Sequence, residues 1–129
     1  MNTNDLRYHK DHTWVRVSNA VKGTIGITDY AQNALGDIVY IDLPEVDIHV
    51  EVNGEIGEIE STKATSAIIS PISGKVIEVN EELRESPEII NEDPCGKGWI
   101  AVLEIGNISE LDDLMDSSEY DKYVEEEAK

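Results

Sequence analysis

Hydrophobic and polar residues alternate in several short runs of this chain, a spacing typical of half-buried β-strands. Trp14–Val17 and Thr24–Ile27 are two such runs, joined by the turn signal Lys22-Gly23, and we expect them to pair as a hairpin. Thr28-Asp29 then offers an N-cap with an acidic first turn, and Gly36 offers a C-cap. The beginning of the chain is therefore predicted to form a β-hairpin followed by a short helix.

Further strands are predicted from apolar runs rich in β-branched residues, which pack well on a pleated sheet. They are Asp37–Asp42, which Leu43-Pro44 ends, Ile56–Ile59, which follows the turn signal Asn53-Gly54, Lys75–Asn80 and Trp99–Ile105. Between them, Val46–Val52 is mixed and acidic, Glu81–Glu88 is polar up to a Ser86-Pro87 break, and Ile89–Gly98 is expected to be mostly irregular.

After Gly106 the apolar spacing changes to that of helices. Ser109–Asp112 resembles a capping box with aspartate in place of glutamate, and Leu111, Leu114 and Met115 share one helical face. We expect Ser117 or Ser118 to cap a last helix, which carries Tyr120, Tyr123 and Val124 and frays over Glu125–Lys129. The prediction is a mainly β fold, a barrel or sandwich with short peripheral helices and a C-terminal helical segment.

Length and composition predict one domain over residues 1–129, with a core over about 8–105 and a helical tail over 109–129. The chain has no phenylalanine, two tryptophans and five tyrosines. Its core must therefore be built mainly from isoleucine, valine and leucine.

The formal net charge of -18 bears on which partners the chain can bind. Such a charge repels phosphate backbones and anionic lipid headgroups, so nucleic acids and membranes are poor candidate partners. It favours a partner with a basic surface, or else serves solubility.

Candidate chemistry of the chain's own is sparse. His9, His12 and His49 match no zinc or iron signature, and we expect them at the surface or the core edge. Cys95 has only Lys97 near it among basic residues, so we expect a buried or incidental thiol. A lone cysteine and a polar N-terminus indicate a reducing compartment, and the protein is expected to be cytoplasmic. We expect no metal site and no catalytic residues.

Lys63 is the only lysine or arginine between Gly23 and Gly74. Two alternating stretches flank it, so we expect a hairpin that carries the lysine at a short polar tip. Most strand lysines only keep a sheet edge soluble. A lysine on a tight hairpin can also be acylated, which would make it a tether.

The sequence around Lys63 resembles the glycine cleavage system H-protein family of lipoyl carriers. The blocks that carry the resemblance are Glu60–Ala64, Ser70–Asn80, Ile90–Pro94, His12–Val15, Gly26–Gln32, Leu35–Val39, Leu43-Pro44 and Gly98-Trp99. They are collinear from about Tyr8 to Tyr120, and the ordered set is distinctive although a lone Glu-Ser-x-Lys-Ala would not be. A biotin carrier would have methionines beside the lysine, where this chain has Thr62 and Ala64.

The resemblance implies the lipoyl-domain barrel-sandwich hybrid fold and covalent lipoate on Lys63, presented by the hairpin residues Glu60, Ser61, Thr62 and Ala64. It implies a non-catalytic carrier of the aminomethyl group of glycine. The implied partners are the pyridoxal phosphate glycine decarboxylase (P protein), the tetrahydrofolate-dependent aminomethyltransferase (T protein), dihydrolipoamide dehydrogenase (L protein) and a lipoate-attaching enzyme. We expect a monomer, since one hairpin must meet several enzymes.

A cleft for the loaded arm is implied at His12, Thr13, Ala34 and Ala67. Thr13 stands where many relatives have glutamate, Ala34 where some have histidine, and Ala67 where aspartate is common. Each change removes a polar group suited to an amine. Two alternatives therefore stay open: an H-like lipoyl carrier for lipoate relay or a sulfur-oxidising heterodisulfide reductase-like complex, and an unmodified acidic adaptor.

Overall fold

Two antiparallel β-sheets form the body of the protein in a computed structural model that describes residues 6–18 and 21–127. The larger sheet contains, in spatial order, β1 (Leu6–Tyr8), β2 (Thr13–Ser18), β3 (Lys22–Ile27), β9 (Ala101–Ile105), β8 (Gly74–Val79) and β5 (His49–Val50). The smaller sheet contains β4 (Ile38–Asp42), β6 (Glu55–Ser61) and β7 (Thr65–Ile69). The prediction of a mainly β fold is confirmed.

Helices lie between and after these strands. They are α1 (Asp29–Leu35), α2 (Glu82–Glu85), α3 (Ile89–Glu92), a 3-10 helix (Ile108–Asp113) and α4 (Ser117–Glu127). Even α4, with 11 residues, falls far short of a bilayer's thickness. Within residues 6–18 and 21–127, no helix is long and apolar enough to span a membrane.

The main hydrophobic core consists of aliphatic residues from both sheets, as the lack of phenylalanine predicts. Val15, Ile25, Ile59, Ile72 and Leu103 are among its almost completely buried members. Burial of each such side chain contributes about 1.5–3 kcal/mol to the free energy of unfolding. A second cluster, made of Leu6, Tyr8, Trp14 and Tyr120, joins β1 and β2 to helix α4.

The predicted hairpin and first helix are both present. Val15 of β2 pairs with Ile25 of β3. The Thr28 hydroxyl accepts a hydrogen bond from the Ala31 amide at 3.2 Å, so Thr28 is the N-cap of α1. Gly36 closes the helix with φ at 83°, a backbone angle that favours glycine. These elements follow from local signals that act within a few residues.

The segment from Glu81 to Gly98 is more ordered than predicted, since it contains α2 and α3. Each of these one-turn helices buries one apolar side chain completely, Leu83 in α2 and Ile90 in α3. Tertiary burial thus stabilises helical turns too short to form alone. Strands β1 and β5 were also not predicted, and β9 begins at Ala101 rather than Trp99.

The helix caps near the C-terminus differ from those predicted. Asn107, not Ser109, caps the 3-10 helix by accepting a hydrogen bond from the Ser109 amide. The reciprocal box lies at the start of α4, where Asp116 and Glu119 each accept a hydrogen bond from the other's amide. The predicted caps at Ser117 or Ser118 are wrong by one or two residues. Helix α4 continues through Glu127, and residues 128–129 lie outside the described part of the chain.

Candidate functional site around the Lys63 hairpin

Strands β6 and β7 form the predicted hairpin with Lys63 at its tip. Glu60 pairs with Thr65, and Ser61 and Ala64 face each other one step further out. Thr62 and Lys63 join the strands, and the Lys63 side chain is exposed to solvent. Lys63 is thus the basic residue of a short connection between the two strands.

The Ser61 hydroxyl closes this connection. It accepts hydrogen bonds from the Lys63 amide at 3.2 Å and the Ala64 amide at 3.1 Å, and it donates to the Ala64 carbonyl at 3.1 Å. The Ser61 amide donates to the same carbonyl at 2.8 Å. A side chain therefore takes the place of the backbone acceptor that normally closes such a turn.

Replacing Ser61 by alanine should loosen the tip without unfolding the sheet. A hydrogen bond of this kind contributes about 0.5–1.5 kcal/mol, so amide exchange at Lys63 and Ala64 should accelerate by up to about tenfold. Ser66→Ala is the matched control, because Ser66 is also exposed on the hairpin and makes only a 3.4 Å contact to the Ala67 carbonyl. Exchange rates equal in the two variants would contradict the role given to Ser61.

The tip is also fastened to the loop between α1 and β4. The Thr62 amide donates to the Asp37 carbonyl at 3.0 Å. The Lys63 side chain lies over Gly36, where a Cβ atom would stand 2.7 Å from Lys63 Cε. Glycine at this position thus provides both the turn after α1 and the space in which the lysine lies.

Asn91 of α3 holds that loop from the other side. Its amide nitrogen donates to the Gly36 carbonyl and the Gln32 side-chain carbonyl, each at 2.9 Å, and its oxygen accepts from the Ile38 amide at 2.9 Å. Sequence reasoning gave Asn91 no role, although it lies in one of the blocks that carry the resemblance. A half-buried asparagine beside a glycine turn thus positions the surface on which Lys63 rests.

The four residues expected to form a cleft lie in different environments. Thr13 is buried at 2% exposure, and its hydroxyl has no hydrogen-bond partner among the described residues. Ala34 and Ala67 are both exposed. His12 contacts α4 instead, and none of the hydrogen bonds of the described residues joins it to Thr13, Ala34 or Ala67.

His12 connects helix α4 to the start of β2. Its Nδ1 lies 2.7 Å from the Tyr120 hydroxyl, and its Nε2 lies 2.9 Å from a Glu127 carboxylate oxygen. The Tyr120 hydroxyl lies a further 2.7 Å from the Thr28 hydroxyl that caps α1. Burial raises the pKa of Tyr120 above its ordinary value, so this phenol stays protonated. The chain of contacts fixes α4 against the helix that leads to the Lys63 loop.

Cys95 is a weak nucleophile in this environment. Burial raises its thiol pKa to about 11, with a further increase from Asp29. Arg16 lowers the thiol pKa and donates to the Cys95 carbonyl at 2.8 Å. The expectation that Lys97 is the only basic residue near Cys95 is therefore wrong. The effect of burial is larger, and the thiol remains protonated near neutral pH.

Comparison with known proteins gives a consistent result over nearly the whole chain. The family model described as "Glycine cleavage H-protein" matches residues 6–127. The chain belongs to the glycine cleavage H-protein family. The predicted resemblance is therefore confirmed, and it includes the hairpin and the elements that hold it.

Individual members of the H-protein family are similar to this chain over nearly all of its length. The glycine cleavage system H protein of Carboxydothermus hydrogenoformans is 50% identical over 123 residues, which cover 95% of this chain and 94% of the relative. Glycine cleavage system H protein 2, mitochondrial, of Arabidopsis thaliana is 50% identical, covering 95% of this chain and 78% of the relative. The crystal structure of the H protein from Mycobacterium marinum superposes with a TM-score of 0.81 at 33% identity, covering 98% of both chains.

Proposed function

We propose that this H-protein family member is the lipoyl carrier of a glycine cleavage system and holds lipoate in amide linkage to Lys63 Nζ. The observation that supports the attachment site most directly is the position of Lys63, exposed on a tip that hydrogen bonds hold in place. The ion pairs of the described residues do not include Lys63. Its amine is therefore accessible to an acylating enzyme.

The residues around Lys63 suit a group of this length and chemistry. When bound, lipoate would supply a disulfide–dithiol couple: the disulfide would be reduced as one sulfur takes up an aminomethyl group, and the dithiol left after its transfer would be reoxidised. The arm of lysine plus lipoyl group would extend roughly 14 Å from the backbone, as standard bond lengths give. Gly36 leaves space at its base, and Ser61 fixes the backbone from which it starts.

Partner recognition by such a carrier follows from its charge. The proposed partners are the glycine decarboxylase, the aminomethyltransferase, dihydrolipoamide dehydrogenase and a lipoate-attaching enzyme. Amide formation removes the positive charge of Lys63 and changes the formal net charge from -18 to -19. A carrier this acidic is steered toward basic rims on enzyme surfaces. The carrier itself supplies no catalytic residue in this proposal.

The proposal includes a cleft for the loaded arm, to which Thr13 would contribute a polar group. Its buried hydroxyl lacks a partner among the described residues, a costly arrangement for an uncompensated polar group. Ala34 and Ala67 add only methyl groups to such a cleft. An amine bound there would find few polar partners.

Two measurements test the proposal. Intact mass of protein made in lipoate-supplied cells should show one lipoyl addition, and peptide mapping should place it on Lys63. The purified lipoylated protein should then support glycine–bicarbonate exchange with glycine decarboxylase. A chain that stays unmodified beside a competent ligase would overturn the carrier function, and a lipoylated chain inactive in exchange would remove the glycine cleavage assignment.

A further inference from the structure

Strand β4 carries two consecutive exposed apolar residues close to the Lys63 tip. Val39 is 55% exposed and Tyr40 is 52% exposed, whereas Ile38 and Ile41 on either side are buried. A regular strand would turn one of the central pair inward. Two adjacent outward side chains thus break the alternation of β4.

A β-bulge explains the exception. Ile38 pairs with Ser61 and Tyr40 pairs with Glu60, so Val39 is an extra residue opposite β6. Bulges of this kind redirect a side chain, and they are over-represented next to active sites. Here the bulge turns Val39 outward beside Tyr40 while Ile38 and Ile41 both stay in the core.

The surroundings of this pair are acidic. Across the sheet, one row consists of Tyr40, Glu60 and Thr65, and the next of Asp42, Glu58 and Ala67, all of them exposed. Arg84 lines a recess beside Tyr40 and is paired with Glu81 at 3.4 Å. By strand spacing, Tyr40 lies roughly 10 Å from the backbone of Lys63. We name this outer face, defined by Val39, Tyr40, Glu58 and Glu60, the β4 face.

The composition of the β4 face resembles the centre and rim of a protein interface. Single exposed apolar residues are common, whereas an adjacent apolar pair beside a row of carboxylates has the composition of a small interaction surface. Tyrosine is enriched among the residues that carry most of an interface's binding energy. The carboxylates select against acidic partners, so the complementary surface is basic.

We propose that the β4 face is the surface through which the lipoate-attaching enzyme recognises the unmodified protein. The enzyme would bind Tyr40 in an apolar recess and place a basic rim against Glu58 and Glu60. This inference rests on the proposed function, because it requires Lys63 to be the acceptor. It adds the surface that this enzyme contacts.

The chemistry of attachment points to this enzyme among the partners. Lys63 Nζ attacks the carbonyl carbon of a lipoyl adenylate formed from lipoate and ATP; the C–N bond forms, the C–O bond to AMP breaks, and the amine loses a proton. Reacting atoms must approach to about 3–3.5 Å, so the enzyme's surface has to cover residues next to the tip. Enzymes that act at the far end of a 14 Å arm need no such closeness.

A double variant with a matched control tests the inference. Val39→Ser with Tyr40→Ser should lower kcat/KM for lipoyl transfer to purified unmodified protein by at least about tenfold, mainly through KM. Val21→Ser with Ile108→Ser is the control, since these residues are 53% and 52% exposed and lie outside the β4 face. The control should stay within about twofold of the original protein. Both variants should keep their thermal midpoints and reach full modification at long times.

The possible results distinguish a failure of this inference from a failure of the proposed carrier function. An original protein that accepts no lipoyl group overturns the carrier proposal itself. If the original protein and Val39→Ser/Tyr40→Ser are lipoylated at equal rates, only the role proposed for the β4 face is overturned. If the variant is lipoylated normally but supports slower glycine exchange, the β4 face belongs to the decarboxylase contact. If the original protein is a dimer and the variant is not, the face belongs to self-association. Each of these results also overturns the inference.

Discussion

Replacing Lys63 by arginine should give a folded protein that receives no lipoyl group and supports no glycine exchange. The guanidinium group keeps the formal net charge at -18 and extends from the same exposed position, but it is not acylated under these conditions. The loss should be complete rather than graded, because no neighbouring amine can replace the missing one: between Gly23 and Gly74 the sequence has no other lysine.

Lys75→Arg is the matched control for Lys63→Arg. Lys75 is likewise exposed, but it lies in strand β8, 3.7 Å from a carboxylate oxygen of Asp47. Its replacement should leave lipoylation and exchange unchanged. Intact mass and exchange rates measure both variants, and circular dichroism checks their folding. Lipoylation of Lys63→Arg at another site would show that the attachment position is wrong.

Replacing Trp14 by alanine should have the largest effect on stability. Trp14 of β2 is fully buried against residues of β1 and α4, and its indole N–H donates to the carbonyls of Ile27 at 2.9 Å and Pro94 at 3.1 Å. Removal of a buried aromatic side chain costs about 3–5 kcal/mol, and the two carbonyls lose their donor as well. Against a typical total of about 5–15 kcal/mol, much of the stability would be lost.

Urea unfolding followed by far-ultraviolet circular dichroism measures this loss. Trp14→Phe should lower the free energy of unfolding less than Trp14→Ala, because it retains a buried aromatic ring, although it loses the N–H and part of the indole volume. Trp99→Ala is a second comparison. Trp99 is half-buried at the edge of the same cluster, so its replacement should lower the free energy of unfolding less than Trp14→Ala does. A Trp14→Ala protein within 1 kcal/mol of the original would rule out the packing described for the second cluster.

Much of the fold could be predicted because its signals are local. A side chain at Thr28 caps a helix three residues away, Gly36 supplies a backbone angle that ends it, and Pro44 prevents strand β4 from continuing. These effects act over a few residues and need no knowledge of the rest of the chain.

The elements that were missed depend on contacts between distant segments. Helices α2 and α3 are stable because Leu83 and Ile90 are buried against the sheets, which their short sequences do not reveal. The bulge at Val39 depends on the register between β4 and β6. The same holds for Arg16, which reaches Cys95 from another strand. Tertiary packing decides these features.

At the candidate site, the hairpin and its exposed lysine were predictable, but their supports were not. The alternation around Lys63 indicates two strands and a tip, and the ordered family blocks indicate its use. The hydroxyl of Ser61, the space above Gly36 and the side chain of Asn91 act through three-dimensional proximity. The cleft assigned to Thr13, Ala34 and Ala67 stays a prediction.

The bond between the Thr62 amide and the Asp37 carbonyl makes the base of Lys63 a fixed pivot. A 14 Å arm that turns about a fixed point sweeps a hemisphere of about 6,000 Å³. One reactive group in that volume corresponds to an effective concentration on the order of 0.3 M, far above the roughly micromolar to millimolar levels of free substrates. If the pivot itself moved by several ångströms, the same group would be diluted over a larger volume. Rigidity at the tip and freedom along the arm thus act together to set the concentration that a docked enzyme meets.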